Sequence, residues 1–140
     1  MPFELEMVLR LLMAAVLGSL IGLQRERVGK PAGTRTHGLI CASSALFTLA
    51  SVYGFGPGVD PSRVAAGVVI GVGFIGGGLI LHRTGGIVEG LTTAATIWTV
   101  AGIGLATGLG MYIISAVMAA IVLVILLLPH TDTTETGGRK

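Results

Sequence analysis

Long apolar runs dominate this chain, and short clusters of charged residues divide them into five segments. Each segment has 17 to 19 residues, close to the roughly 17–25 residues that an α-helix needs to cross the hydrocarbon core of a bilayer. The pattern therefore predicts an all-α fold, an integral membrane bundle of five transmembrane helices. The predicted spans are residues 5–23, 37–55, 64–81, 91–107 and 111–128.

The two ends of the chain are interpreted differently, the first as a membrane span and the last as a polar tail. The first apolar run follows Glu4 and Glu6 instead of a basic segment, and no clear cleavage site follows it, so it is interpreted as a retained span. Arg10 lies about one turn inside this run, where it is expected to snorkel to the headgroups and to pair with Glu6. Pro129 is expected to end the last helix. The predicted domains are a transmembrane domain over 1–129 and a disordered, polar cytoplasmic tail over 130–140.

Composition agrees with a membrane protein. Hydrophobic residues make up 52% of the chain and charged residues only 11%, against about 25% charged residues in a typical soluble domain. The mean hydropathy is +0.88. A net charge of +2 gives no reason to expect nucleic acid as a partner. The single cysteine, Cys41, excludes an intramolecular disulfide and is interpreted as a small packing residue.

Positive charge predicts the orientation of the bundle. Seven Lys and Arg residues fall on one predicted side and two on the other, which places the N-terminus outside and the C-terminus in the cytoplasm. The predicted cytoplasmic cations are Arg25, Arg27, Lys30, Arg35, Arg83, Arg139 and Lys140, and the other two are Arg10 and Arg63.

Glycines recur at a spacing that favours close helix packing. The chain has 23 glycines, many of them four residues apart, and glycines at this spacing let two helix backbones touch inside a membrane. The dense glycines of the third span allow an alternative, in which the backbone opens locally and its carbonyls line a polar pocket. The candidate packing residues are Gly18, Gly22, Gly67, Gly71, Gly73, Gly76, Gly77 and Gly78.

The most polar stretch, residues 24–37, joins the first two predicted spans. One interpretation is a basic anchor lying against anionic lipid. The other is a structured cytoplasmic site, in which Glu26 links buried guanidinium groups to the free amides at the start of the fourth helix. The predicted members of this cluster are Arg25, Glu26, Arg35, Thr36, Arg83, Glu89, Thr92 and Thr93.

Other polar residues give weaker signals. His37, His82 and His130 are interpreted as polar residues at membrane borders, and the sequence leaves open whether Trp98 packs inside the bundle or marks an interface. The chain carries no phosphate-loop, metalloprotease or zinc motif and offers no paired nucleophile and base. We therefore expect no enzymatic activity and no cofactor.

Three motifs resemble the MgtC/SapB family of bacterial inner-membrane proteins linked to magnesium homeostasis. They lie at residues 22–36 (GLQRE leading to GTRT), 71–78 (GVGFIGGG) and 90–98 (GLTTAATIW). The resemblance implies five helices, a multi-pass bacterial inner-membrane location and a short form without the soluble C-terminal domain of many members. It also implies a homo-oligomer, with a dimer favoured, and as partners membrane lipids and other inner-membrane transport or ATP synthase proteins.

Two functional hypotheses follow from the residues and this resemblance together. The first is an accessory or regulatory protein of magnesium homeostasis that acts through the cytoplasmic polar site. The second is a small oligomeric transporter with Mg²⁺ as its ligand. Mg²⁺ pathways usually offer carboxylate oxygens, and Glu26, Glu89 and Asp60 all lie at span borders, which favours the first hypothesis.

Overall fold

The computed structural model describes residues 3–82 and 88–129, and it is helical apart from one short hairpin. Mostly uninterrupted apolar sequence forms each helix, and glycine, proline or polar residues lie at the breaks. The elements are α1 Phe3–Arg27, α2 Thr34–Tyr53, α3 Ser62–Gly77, β1 Leu81–His82, β2 Val88–Glu89, α4 Leu91–Gly108 and α5 Tyr112–Leu127. The predicted tail, 130–140, lies outside the described residues.

The helices are less uniform than the sequence pattern predicts. Three of them, α1, α2 and α4, have 25, 20 and 18 residues and are long and apolar enough to cross a membrane. The other two, α3 and α5, are apolar but have only 16 residues each. The all-helical prediction is therefore confirmed, whereas five spans with the N-terminus outside remain a prediction.

The third element shows why the predicted span was too long. Its helix includes residues 71–77 of the glycine-rich motif and ends at Gly77, with Gly78, the last residue of the motif, as the C-cap. The expected end at residue 81 is wrong, because β1 pairs antiparallel with β2 at this point, Leu81 opposite Glu89. The alternative of a locally opened backbone is also wrong for 71–77, which is continuous helix.

Helix α4 lies at the centre of the bundle and contacts α1, α2, α3 and α5. Its Val100 and Ile103 pack with Ala14 and Ile21 of α1 and with Cys41 of α2 in one apolar core. All five side chains are at most 2% exposed. The interpretation of Cys41 as a packing residue therefore agrees with its place in the core.

Glycine permits the closest approach between α1 and α2. A Cβ added at Gly18 would lie 2.5 Å from the carbonyl oxygen of His37, and one at Gly22 would lie 2.5 Å from that of Gly33. Real Cβ atoms do not come this close to backbone, so only glycine fits at these two positions. The predicted packing of Gly18 and Gly22 is therefore seen directly as contact between helix α1 and the start of α2.

The glycines of α3 differ from those of α1. An added Cβ would meet no atom within 4 Å at Gly67, Gly71, Gly73 or Gly77, whereas at Gly76 it would lie 3.5 Å from the carbonyl oxygen of Ala94. At Gly78, the nearest atom would be the carbonyl oxygen of Ile75 in the preceding helix turn, at 3.4 Å. Only Gly76 of this set thus packs against another helix of the described chain.

The turn before α3 is stabilised by Asp60. Its Oδ1 accepts a hydrogen bond from the backbone N–H of Ser62 at 2.9 Å. Hydrogen bonding from the Ser62 hydroxyl, together with this backbone bond, favours the charged form and holds the pKa of the exposed Asp60 carboxyl below its usual range. The start of α3 is thereby supplied with an acceptor for one of its free amides.

Candidate functional site

Two arginines of α1 are buried, one near each end of the helix. Arg10 is 9% exposed and Arg25 is 5% exposed. Each lies in a polar group drawn from several helices. The Arg10 cluster consists of Glu6, Arg10, Tyr53, Gly108 and Tyr112, and the Arg25 cluster consists of Arg25, Glu26, Thr34, His37, Thr93 and Thr96.

The guanidinium of Arg25 reaches from the last turn of α1 to the first turn of α4. Its Nη2 donates a hydrogen bond to Oγ1 of Thr93 at 2.8 Å. Its Nε is buried and has no hydrogen-bond partner, and no carboxylate of the described residues forms an ion pair with it. The structure thus brings together Arg25 and Thr93, which are 68 residues apart in sequence.

His37 is completely buried beside this arginine, between α2 and α4. Its Nδ1 lies 3.1 Å from the carbonyl oxygen of Gly33, and its Nε2 lies 3.3 Å from Oγ1 of Thr96. A carbonyl only accepts, so Nδ1 is the donor in the first of these contacts. The ring of His37 therefore lies inside the bundle, where it connects α2 to α4. Its interpretation as a residue at a membrane border stays a prediction.

Glu26 stabilises a different helix from the one expected. Its Oε2 accepts hydrogen bonds from the backbone N–H of Thr34 at 3.0 Å and from the Thr34 hydroxyl at 2.7 Å. These bonds supply an acceptor at the first turn of α2, whose N-cap, Gly33, has no side chain. The prediction that Glu26 would satisfy the start of α4 is wrong, because the nearer start of α2 uses this carboxylate.

The start of α4 has no side-chain cap. Its N-cap residue, Gly90, has a φ of +91°, a left-handed conformation that favours glycine. A Cβ there would also collide with the carbonyl oxygen of Leu79. Leu91 and Thr92 are exposed, so the free amides of this first turn begin at the protein surface next to the buried guanidinium of Arg25.

Three other predicted members of the cluster, Arg35, Thr36 and Thr92, are not drawn into it. Arg35 and Thr92 are exposed, Thr36 is half-buried, and none of the three forms a side-chain hydrogen bond within the described part of the chain. Glu89 is also exposed, at the end of β2. Arg83 lies outside the described residues.

The Arg10 cluster was not predicted from the sequence. The Arg10 guanidinium forms an ion pair with Glu6 and donates from Nη1 to the carbonyl oxygen of Gly108 at 2.8 Å. It also donates to the hydroxyl of Tyr112 at 3.1 Å and to that of Tyr53 at 3.3 Å. The expected pair with Glu6 is therefore present, and the guanidinium also has partners on α2, α4 and α5. The expected snorkelling of Arg10 to the headgroups stays a prediction.

A sequence signal for the Arg10 cluster does exist. A charged side chain inside an apolar run needs fixed partners, and tyrosines have polar ends that suit such a role. Tyr53 ends α2 and Tyr112 begins α5, so both fall at the same end of the bundle as the start of α1. Their rings also lie 5.9 Å from the Arg10 guanidinium carbon, measured to the ring centroids.

Metal ligands do not gather in the part of the chain that the structure describes. It contains no group of three or more His, Cys, Asp or Glu side chains that could hold a metal ion. The groups that converge at the two clusters are guanidiniums, hydroxyls, an imidazole, backbone carbonyls and one carboxylate in each, Glu6 paired with Arg10 and Glu26 hydrogen-bonded by Thr34. Their chemistry suits hydrogen bonding to acceptors more than cation coordination.

Comparison with known proteins identifies the family. The family model described as MgtC matches residues 11–132, which begin within α1 and include all of α2, α3, α4 and α5. This chain belongs to the MgtC family. The earlier resemblance is thereby confirmed, and the matched region contains Arg25, Thr93 and the glycine-rich α3.

Three curated relatives illustrate the similarity. The chain is 52% identical over 128 residues, 84% of its length, to "Putative magnesium transporter YhiD" of Escherichia coli. It is 43% identical over 114 residues, 76% of its length, to the protein SapB of Bacillus subtilis. It is 46% identical over 105 residues, 75% of its length, to the protein MgtC of Salmonella typhimurium.

The MgtC-family relatives are longer than the region they share with this chain. The matches cover 59% of YhiD, 49% of SapB and 44% of MgtC, so the chain spans about half the length of these proteins. No solved structure matches the chain.

Proposed function

We propose that this MgtC-family chain is an accessory or regulatory membrane protein of magnesium homeostasis. Family membership and the name of its relative YhiD support the connection to magnesium. In this proposal the chain acts through the Arg25 cluster, at the cytoplasmic face of a bacterial inner membrane, and through contacts with other membrane proteins.

The charge of the buried arginines carries this proposal. Arg10 and Arg25 are both buried in the bundle, and Arg25 has no carboxylate partner among the described residues. A fixed cation in a medium of low dielectric constant repels a divalent cation strongly. Mg²⁺ also needs oxygen ligands and gives up its water reluctantly. A path for Mg²⁺ through a single bundle would therefore pass an unneutralised positive charge, which favours a regulatory role.

Two measurements, one on purified protein and one in cells, test the regulatory role. Purified protein in liposomes should show no Mg²⁺ influx above that of empty liposomes, with or without a membrane potential. Expression of the same protein in a bacterium that lacks its own family member should change growth at low magnesium. Saturable Mg²⁺ influx that depends on the reconstituted protein would overturn the proposal.

The second candidate, an oligomeric Mg²⁺ transporter, is favoured by two pairs of α3 glycines, on different sides of the helix, that have open space beside them. An added Cβ at Gly67, Gly71, Gly73 or Gly77 meets nothing within 4 Å, so a second copy could approach this backbone closely. A path between copies would avoid the two buried arginines. Crosslinking of wild type and Gly73→Leu tests self-association, and the liposome assay then decides whether the oligomer conducts Mg²⁺.

The proposed orientation is testable independently of function. A cysteine label at position 60, in the turn before α3, should react only from outside, and a label at position 30, after α1, only from the cytoplasm. Cys41 is completely buried, so it should give little background. Labelling from the opposite sides would reverse the orientation and place the Arg25 cluster outside.

A further inference from the structure

The hydrogen-bonding capacity of Arg25 is largely unused. A guanidinium carries five N–H donors, and within the described residues the bond from Nη2 to Thr93 is the only one that Arg25 makes. The residue is nonetheless 95% buried, with 5% of its surface exposed. Burying a cation without acceptors is costly, because the lost hydration is not replaced. The guanidinium therefore keeps donors for which the described residues supply no acceptor.

The first turn of α4 has the same requirement. Thr93, the acceptor of the Arg25 bond, is the third residue of this helix, and no side chain caps its N-terminus. The free amides of a helix start carry partial positive charge and bind anions. Thr92, one residue earlier, is exposed and offers a hydroxyl at the surface. Two independent groups, one guanidinium and one set of amides, thus need acceptor oxygens at the same place.

The charges near Arg25 and the first turn of α4 favour a negatively charged ligand from outside the chain over a carboxylate of the chain itself. The exposed cations Arg27, Lys30 and Arg35 belong to the end of α1, the connection and the start of α2. Glu26 is engaged by Thr34. Glu89 lies two residues before the first residue of α4 in the sequence and adds a negative charge to this segment.

We propose that a phosphate group binds between Arg25 and the first turn of α4. A phosphate group offers at least two unesterified acceptor oxygens and a negative charge, and a guanidinium matches its geometry better than an ammonium does. The group can come from an anionic lipid headgroup or from free phosphate, since both present unesterified, negatively charged phosphate oxygens. The inference rests on the proposed function for the location of the site and adds its ligand class.

Binding is measured on the purified full chain, in buffers without magnesium. In one arm, inorganic phosphate is titrated into detergent-solubilised protein, and the heat of binding and the unfolding temperature are measured. The other arm compares nanodiscs of phosphatidylglycerol, which is anionic, with nanodiscs of phosphatidylcholine, which has no net charge. We expect either phosphate or phosphatidylglycerol to raise the unfolding temperature of the wild type.

Substitutions assign the effect to Arg25. Arg25→Met should weaken the binding by about tenfold or more, because it removes the charge and the fork of donors. Arg35→Met is the matched control, since it removes an exposed cation from the same end, and it should change binding by less than about twofold. If Arg25→Met does not fold, Arg25→Lys keeps the charge, and it should still bind more weakly than wild type.

The outcomes separate the sources from each other and from the proposed function. Binding of inorganic phosphate indicates a soluble ligand, and stabilisation by phosphatidylglycerol alone indicates a lipid headgroup. No binding in either arm, or equal loss in the Arg25 and Arg35 variants, would overturn the phosphate site. Such a result leaves the magnesium assays unaffected. Mg²⁺ flux in liposomes would overturn the regulatory role and leave the phosphate measurement standing.

Discussion

Arg10 and Arg25 are equivalent in residue type, helix and burial but differ in their partners. Fifteen positions separate them on α1, a distance of about 22 Å along the helix axis. Arg10 contacts a carboxylate, two phenols and a backbone carbonyl. Arg25 contacts one hydroxyl. The Arg10 cluster is therefore satisfied within the chain, whereas the Arg25 cluster is not.

This difference separates a structural role from a binding role. A buried charge whose partners all belong to the fold stabilises one arrangement of helices, because each partner lies on a different element. Tyr53, Gly108 and Tyr112 are contributed by α2, α4 and α5. A buried charge that lacks partners destabilises the empty protein and is stabilised when a ligand binds. The first cluster should thus control folding, and the second should control ligand affinity.

The largest expected effect is the loss of stability in Arg10→Met. The change removes the hydrogen bonds to Tyr53, Tyr112 and Gly108 and leaves Glu6 without its cation. We expect a loss of about 2–4 kcal/mol in the free energy of unfolding, somewhat below the cost of breaking a fully buried pair, because the Glu6 side chain is 38% exposed. Denaturant titration of the purified protein measures it.

Arg25→Met serves as the matched control for Arg10→Met. Without added phosphate or anionic lipid it should change the free energy of unfolding by less than about 1 kcal/mol, since it removes one hydrogen bond to a neutral acceptor together with an unpaired buried charge. Equal losses in the two variants would contradict the distinction between the clusters.

The next effect concerns the glycine that brings α1 against the Gly33 backbone near Arg25. In Gly22→Ala, the new Cβ would lie 2.5 Å from the carbonyl oxygen of Gly33, and relieving this overlap should cost about 1–3 kcal/mol. Gly73→Ala is the control, because its Cβ meets nothing within 4 Å and alanine favours a helix by up to about 1 kcal/mol. Thermal unfolding distinguishes them. A Gly22→Ala protein as stable as Gly73→Ala would mean that this contact is looser than the structure shows.

The sequence predicts these helices well because their signal is local. Apolar runs and their glycine, proline and charged borders give α1, α2 and α4 directly. The hairpin β1–β2 could not be predicted, since each strand has only two residues, too few for any alternation of apolar and polar positions. The early end of α3 depends on that hairpin and was missed with it.

The candidate site was predictable only in part, because pairing between distant segments leaves little local trace. The charge rule places Arg25 and Thr93 at one end of the bundle, and they do meet. It does not determine which helix start donates hydrogen bonds to Glu26, since both α2 and α4 begin at this end. The burial of His37 follows from the close contact of Gly18 with its carbonyl, which is a property of packing that the sequence pattern does not contain.

A smaller effect is expected from Glu26→Gln, which tests how the start of α2 is held beside Arg25. The amide oxygen can still accept a bond from Thr34, but without the negative charge that strengthens both present bonds. The unfolding temperature should fall less than in Gly22→Ala, and hydrogen exchange at the Thr34 amide should quicken. Glu4→Gln makes the same change at an exposed carboxylate on α1 and should leave the Thr34 amide unaffected. Slow exchange in Glu26→Gln would show that another group caps α2.

The smallest effect should come from Arg35→Lys, which changes an exposed cation and is compared with Arg25→Lys, the same change at the buried cation. Arg35 is exposed and makes no hydrogen bond within the described residues, so lysine supplies the same charge to the surface. Stability and phosphate binding should stay at wild-type values, whereas Arg25→Lys should bind more weakly because an ammonium cannot reproduce the planar fork of a guanidinium. Calorimetric titration of both variants in one buffer makes the comparison. Binding by Arg35→Lys as weak as that by Arg25→Lys would contradict the assignment of the ligand to Arg25 and would overturn a phosphate site between Arg25 and the first turn of α4.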